Sequence, residues 1–299
     1  MPDPERSWSG GAIPYGSLGE RVEWQMVLEH YYWDRLPQAY ETALTLGAGL
    51  AGQGLRLYRM VEAEHITRMR GELLPVNDWM DLETLPEEGE RTPELVEGIV
   101  AACDAVAEKL GWQHGPKVLV SILSDETDAP WTMGRYGYMV DKYPFDKICL
   151  PLQATLDPTR LREVVAHEYA HVISLNLSAG KVPRWLDEAI AMNVEPTREP
   201  SPFPSDREWL SPQRLEGAFS FDQGDPRLWW AYQQSATIGG YLVALAGTPK
   251  LGDLLRAFAN NSGWTELKMA ITGQSREDEA LREVYGFGVA ELFENSRGK

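Results

Sequence analysis

Apolar residues recur at helical spacing from Leu18 to Leu46, through Val22, Met26, Leu28, Tyr32, Leu36, Tyr40, Ala43 and Leu44. Pro37 interrupts the run, because proline lacks the amide hydrogen that a helix interior needs. The stretch "LRLYRMVEAEHITRMR" (55–70) carries no clean helical stripe and reads as strand or mixed structure. "MDLETLPEEGERTP" (80–93) is acidic, holds two prolines and shows no apolar period, so it reads as a linker. The next segment, "PELVEGIVAACDAVAEKLGW", is amphipathic, with Thr92 and Pro93 as start signals and Gly111 as the stop. "KVLVSIL" (117–123), "GRYGYMV" (134–140) and "DKICLPL" (146–152) are strand-like. From position 156 onward helical patterns dominate. This order predicts an α+β chain, with a small domain at 1–88, helical then strand, and a larger one at 89–299.

Composition narrows the class. The 299 residues are 43% hydrophobic and 24% charged, ordinary values for a globular protein. A formal net charge of −17 argues against nucleic-acid binding, since phosphates are gripped by clustered Lys and Arg. The same charge disfavours anionic membranes, and no run of apolar residues is long enough for membrane insertion. Without an apolar leader near the first residue, a cytoplasmic location is the expectation. Cys103 and Cys149 set no disulfide framework and are expected as small buried apolar groups. Residues 1–15, rich in Pro, Gly and Ser, are expected as a loose arm. Gly47, Gly49 and Gly52 match G-x-G-x-x-G, but lack the preceding strand that a dinucleotide site requires. A glycine-rich turn between packed elements accounts for them better.

Chemistry concentrates in "TLDPTRLREVVAHEYAHVISLNL" (155–177). Asp157 is a good N-cap, Pro158 suits the first helical position, and Leu156 and Leu161 can form a hydrophobic staple. Residues four apart share one helical face. His167 and His171 can therefore present imidazole nitrogens to one ion at about 2.0–2.1 Å, the distance zinc prefers. Glu168 is offset by about 100°. It would stand beside the ion within reach of a bound water, where a general base belongs. The plainer alternative is a pair of core histidines bonded to neighbours, which would have to satisfy every buried ring nitrogen. A catalytic site needs a third protein ligand. No histidine follows His171, so the candidates are carboxylates of the next helix: Asp187, Glu188 and Glu195.

"HEYAH", a short turn and then "PRWLDEAIA" resemble the gluzincin zinc metallopeptidases, specifically the peptidase-MA-like family. Its members show H-E-x-x-H followed by P-x-W-L-x-E-G-x-A. The resemblance extends over roughly residues 95–295 and includes "WWAYQQSATIGGYL" with the helical tail after it. Ala189 stands where the family usually has glycine. The resemblance implies a thermolysin-like catalytic domain: a small mixed or antiparallel sheet, an active-site helix and a helical C-terminal subdomain. It assigns His167, His171 and Glu188 as ligands of one Zn2+, Glu168 as the base, and Tyr232 as a stabiliser of the oxyanion, with Tyr241 as the fallback. Asp187 and Glu195 become candidates for orienting a ligand histidine.

The implied activity is hydrolysis of peptide bonds in a peptide or protein substrate, through a zinc-bound water activated by Glu168. In the family an edge strand above the active helix binds the substrate main chain; either 134–140 or 146–152 is the candidate here. A non-catalytic binding protein that keeps the zincin fold, or a zinc hydrolase of a non-peptide amide, is the alternative. The sequence is silent on cleavage specificity, on endo- versus exopeptidase action and on oligomeric state.

Overall fold

Two segments rich in apolar residues, Val118–Leu123 and Asp146–Pro151, are buried at every position, Ser121, Asp146 and Lys147 included. Burial at successive positions is what parallel strands covered on both faces show. In the computed structural model they are the third and fifth strands, β3 and β5, of a five-stranded sheet ordered β1-β2-β3-β5-β4. The others are β1 (Glu72–Asn77), β2 (Met80–Thr84) and β4 (Tyr138–Val140). β2, β3 and β5 run parallel, with Leu82 opposite Val120 and Val120 opposite Ile148. β1 and β4 add antiparallel outer strands. The structure describes residues 18–46, 52–123, 138–140, 146–196, 203–219, 225–260 and 275–297. The expected N-terminal arm, Gly47 and Gly49, residues 134–137 and the stretch "WTELKMAITG" lie outside the described residues.

Two readings of the chain are corrected. Residues 55–70 are not strand: they belong to helix α3 (Gly52–Arg70), which follows α1 (Leu18–Tyr32) and α2 (Leu36–Leu46). Its apolar side, Leu57 and Val61, joins Trp24, Val27, Tyr31, Leu36, Ala39 and Ala43 in one cluster. Its other buried positions are Ala63 and the polar Glu64 and Thr67, and the polar pair hides the helical period from a hydropathy reading. Residues 80–84 are not linker either. Met80 and Leu82 are fully buried in β2, while the intervening acids are partnered. Lys117 bonds Asp81 at 2.9 Å, and Glu83 takes Arg68 together with the Ser121 hydroxyl at 2.7 Å. Paired acids thus gave a central strand the look of a solvated loop. The sheet draws strands from both sides of position 88.

The described residues fall into two compact units, one from 18–104 and 114–169, the other from 105–113 and 170–297. The first holds the sheet, α1 to α3 and most of α4 (Thr92–Leu110). Within it, Lys147 on β5 and Glu64 on α3 form an ion pair with both side chains almost wholly buried, and Tyr31 donates to the same carboxylate. Short helix α5 (Leu152–Thr155) leads into α6 (Pro158–Ser178), which passes from the first unit into the second.

The second unit is helical: α7 (Arg184–Val194), α8 (Pro212–Ala218), α9 (Pro226–Ala246), α10 (Pro249–Ala259), α11 (Arg276–Tyr285) and α12 (Val289–Ser296). α7 and α9 lie close because Gly239 has no side chain. A Cβ there would stand 2.5 Å from the Ala189 carbonyl oxygen and 2.4 Å from the Asn193 amide nitrogen. Asn193 bridges the pair, donating to Ala189 O at 2.8 Å and Ala236 O at 2.9 Å. Cys103 and Cys149 are both buried, as expected, and are not joined in a disulfide. Among the described residues no helix is long and apolar enough to cross a membrane.

Two stability predictions follow from these contacts. Gly239→Ala should destabilise the chain by about 1–3 kcal/mol, the range for overpacking, read as a lower urea midpoint. Glu64→Gln strips the buried Lys147 of its counter-charge and should cost about 3–5 kcal/mol, whereas Glu64→Leu with Lys147→Met should recover most of that loss. Equal urea midpoints for the Glu64→Gln variant and the parent would contradict the burial of this pair.

Candidate metal centre

α6 begins where the sequence announces it. The Asp157 carboxylate accepts from the Thr159 amide at 2.8 Å and the Arg160 amide at 3.3 Å, capping the first turn. Of the two leucines expected to staple this end, Leu161 is buried and Leu156 is 56% exposed. Val164, Val165, Tyr169, Val172 and Ile173 bury much of the helix circumference. The helix ends with Ala179 at φ 53° and Gly180 at φ 70°, and the Gly180 amide donates back to Leu175 at 2.8 Å. This reversal lets α7 start only a few residues later.

The N-terminus of α7 is held from a distance in sequence. Both oxygens of Glu216, on α8, accept backbone amides of the first turn: Arg184 and Trp185, each at 3.1 Å. An anion at a helix N-terminus satisfies orphan amides and complements the helix dipole. One turn on, Asp187 and Glu188 approach His171 from its two sides. Asp187 Oδ2 lies 2.8 Å from His171 Nδ1, and Glu188 Oε2 lies 3.6 Å from His171 Nε2.

His167, His171 and Glu188 each offer a ligand atom, and the three atoms lie within 4.8 Å of one another. Among the described residues this group could hold a metal ion. The fit is chemical as well as geometric. Ligands about 2.1 Å from a tetrahedral ion stand about 3.4 Å apart, close to the His171–Glu188 separation. Asp187, the rival ligand, instead binds the other nitrogen of His171, which leaves Nε2 for the ion. That is the carboxylate–histidine arrangement of metal sites. His171 and Glu188 are buried and His167 is half-buried. Glu168 is buried on the same helix but is not one of the three. Glu195 is the residue that closes α7 and also stands outside the group.

Tyr232 and Tyr241 are separated by nine residues of α9, a rotation of about 180°. They therefore occupy opposite faces. Ala236 and Gly239, which meet α7, share the Tyr232 side. Tyr232 packs edge-on against Phe219 with centroids 5.2 Å apart and hydrogen-bonds to Arg184. Arg184 Nη2 in turn lies 3.7 Å from Glu188 Oε1. Burial works against the Arg184 charge, but Glu188, Tyr232 and Asp187 outweigh it and raise its pKa above the usual arginine value.

Arg184, Glu216 and Asn193 were missed by the sequence reading. Arg184 precedes Glu188 by four residues, so the helical i,i+4 rule could have found it. Glu216 and Asn193 act across tertiary contacts that leave no local signal. Comparison with protein-family models, with curated proteins and with solved structures gives no match.

If Asp187 orients His171, Asp187→Asn should weaken zinc binding by about 10–100-fold, the usual effect of removing such a partner. Competition against a chromogenic chelator measures it. An unchanged zinc affinity would show that Asp187 does not support the ligand.

Proposed function

We propose that the chain is a zinc-dependent metallopeptidase of gluzincin type, with the thermolysin-like arrangement of a small mixed sheet, an active helix and a helical unit. The observation that carries this reading is His171, whose two ring nitrogens face two different carboxylates, one placed as support and one as co-ligand. Two histidines and one glutamate, one protein ligand fewer than a closed structural site has, make the donor set of catalytic zinc, which keeps a position for solvent. His167, His171 and Glu188 would hold the ion. When bound, such an ion supplies a Lewis acid that brings a water's pKa towards about 7 and polarises a substrate carbonyl.

The chain's own residues divide the remaining work. Glu168 takes the proton of the attacking water and hands it to the leaving amine nitrogen, so that one carboxylate serves both halves of the hydrolysis. Glu168 is buried, at 7% exposure, on the same helix as the two histidines. Tyr232, on the face of α9 that meets α7, is the group that donates to the oxygen of the tetrahedral intermediate. The substrate backbone would be gripped by strand addition. Of the two candidate stretches, β5 lies between β3 and β4, whereas β4 has one neighbour among the described strands. Tyr138–Val140 is thus the segment with an edge to offer.

Glu168→Gln tests the reading. The variant should keep its zinc and lose about 10²–10⁴-fold in peptide cleavage, the usual contribution of a general base. Zinc content by mass spectrometry and turnover of a peptide library check both halves. Undiminished cleavage would remove Glu168 as the base. Absence of any cleavage by the zinc-loaded parent would favour a binding protein.

A further inference from the structure

Glu188 divides its two oxygens. Oε2 faces His171 Nε2 at 3.6 Å, and Oε1 faces the Arg184 guanidinium at 3.7 Å. Arg184 is held from several directions. Its backbone amide and that of Trp185 are fixed by Glu216, its guanidinium lies 5.8 Å from the Phe219 ring centroid, and it hydrogen-bonds to Tyr232. The side chain is nonetheless 38% exposed. A planar guanidinium can serve two oxygen partners in a set geometry, which an ammonium cannot do.

We propose that Arg184 is a positioning residue of the metal centre, engaging Glu188 Oε1 and the Tyr232 hydroxyl so that Glu188 offers the ion one oxygen and Tyr232 stays directed at the reacting carbonyl. The assignment rests on the metallopeptidase reading and adds a residue to it. A carboxylate free of Arg184 could close on the ion with both oxygens, crowding the place that solvent needs. The Tyr232 hydroxyl would also lose the Arg184 donor that it accepts from. Arg184 touches neither the substrate nor the ion, and it acts through its two neighbours.

Cobalt(II) is the probe, because its visible bands report coordination geometry. The cobalt-loaded parent should show the intense bands of a four-coordinate ion, three protein ligands and a solvent. In Arg184→Met those bands should weaken by about two-fold or more as the coordination number rises. Arg184→Lys keeps the charge and most of the stem, so it guards against a folding failure and should give an intermediate spectrum. A double-mutant cycle on kcat completes the test: Arg184→Met should cost far less in a Tyr232→Phe background than alone. Spectra identical to the parent in both Arg184 variants, or fully additive losses in the cycle, would overturn the assignment. A parent that binds no cobalt would sink the metal reading and this assignment with it. A parent that binds cobalt but cleaves no peptide would sink the peptidase reading alone, and the spectra would then decide the role of Arg184.

Discussion

A buried imidazole has two ring nitrogens to satisfy, and the way His171 satisfies them organises this centre. Asp187 takes Nδ1 at 2.8 Å, which turns Nε2 towards Glu188 and His167. Neighbouring residues of one helix can flank the ring in this way because they differ by about 100° in direction. Adjacent acids at 187 and 188 therefore stand in different places: one bonds the ring, the other joins the two histidines in the group that could hold an ion.

That division depends on how α7 is held. Glu216 pins its first turn, and Asn193 with Gly239 sets its distance from α9 near its far end. The helix is thus fixed at both ends, with Glu188 near the middle. The same packing brings the Tyr232 face of α9 towards α7, and Arg184 links the two. A side chain that must meet two histidines at a set distance has little tolerance for a sliding backbone, and the contacts that hold α7 lie close to it in sequence.

How much of this could be read from the residues follows from where the information sits. The start and stop of α6, the onset of α7 and the pairing of His167 with His171 are local, encoded by Asp157, Pro158, Gly180, Pro183 and a spacing of four. They appear in the structure where the sequence puts them. The choice between Asp187, Glu188 and Glu195 was not local, since three acids on one helix differ only in what they face. Failure was complete at α3 and β2. Glu64, Thr67, Asp81 and Glu83 look solvated in a hydropathy pattern, yet their partners, such as Lys147, Lys117 and Arg68, arrive from distant elements. Long-range pairing erased the periodicity on which such readings depend. The thermolysin-like arrangement itself still rests on the resemblance and on the order of elements.

The most direct test of convergence on one ion is X-ray absorption at the zinc edge of the zinc-loaded chain. The account predicts one zinc per chain with two imidazole shells and one carboxylate oxygen at about 2.0–2.1 Å. A zinc environment without imidazole scattering, or a chain that retains no zinc, would contradict it.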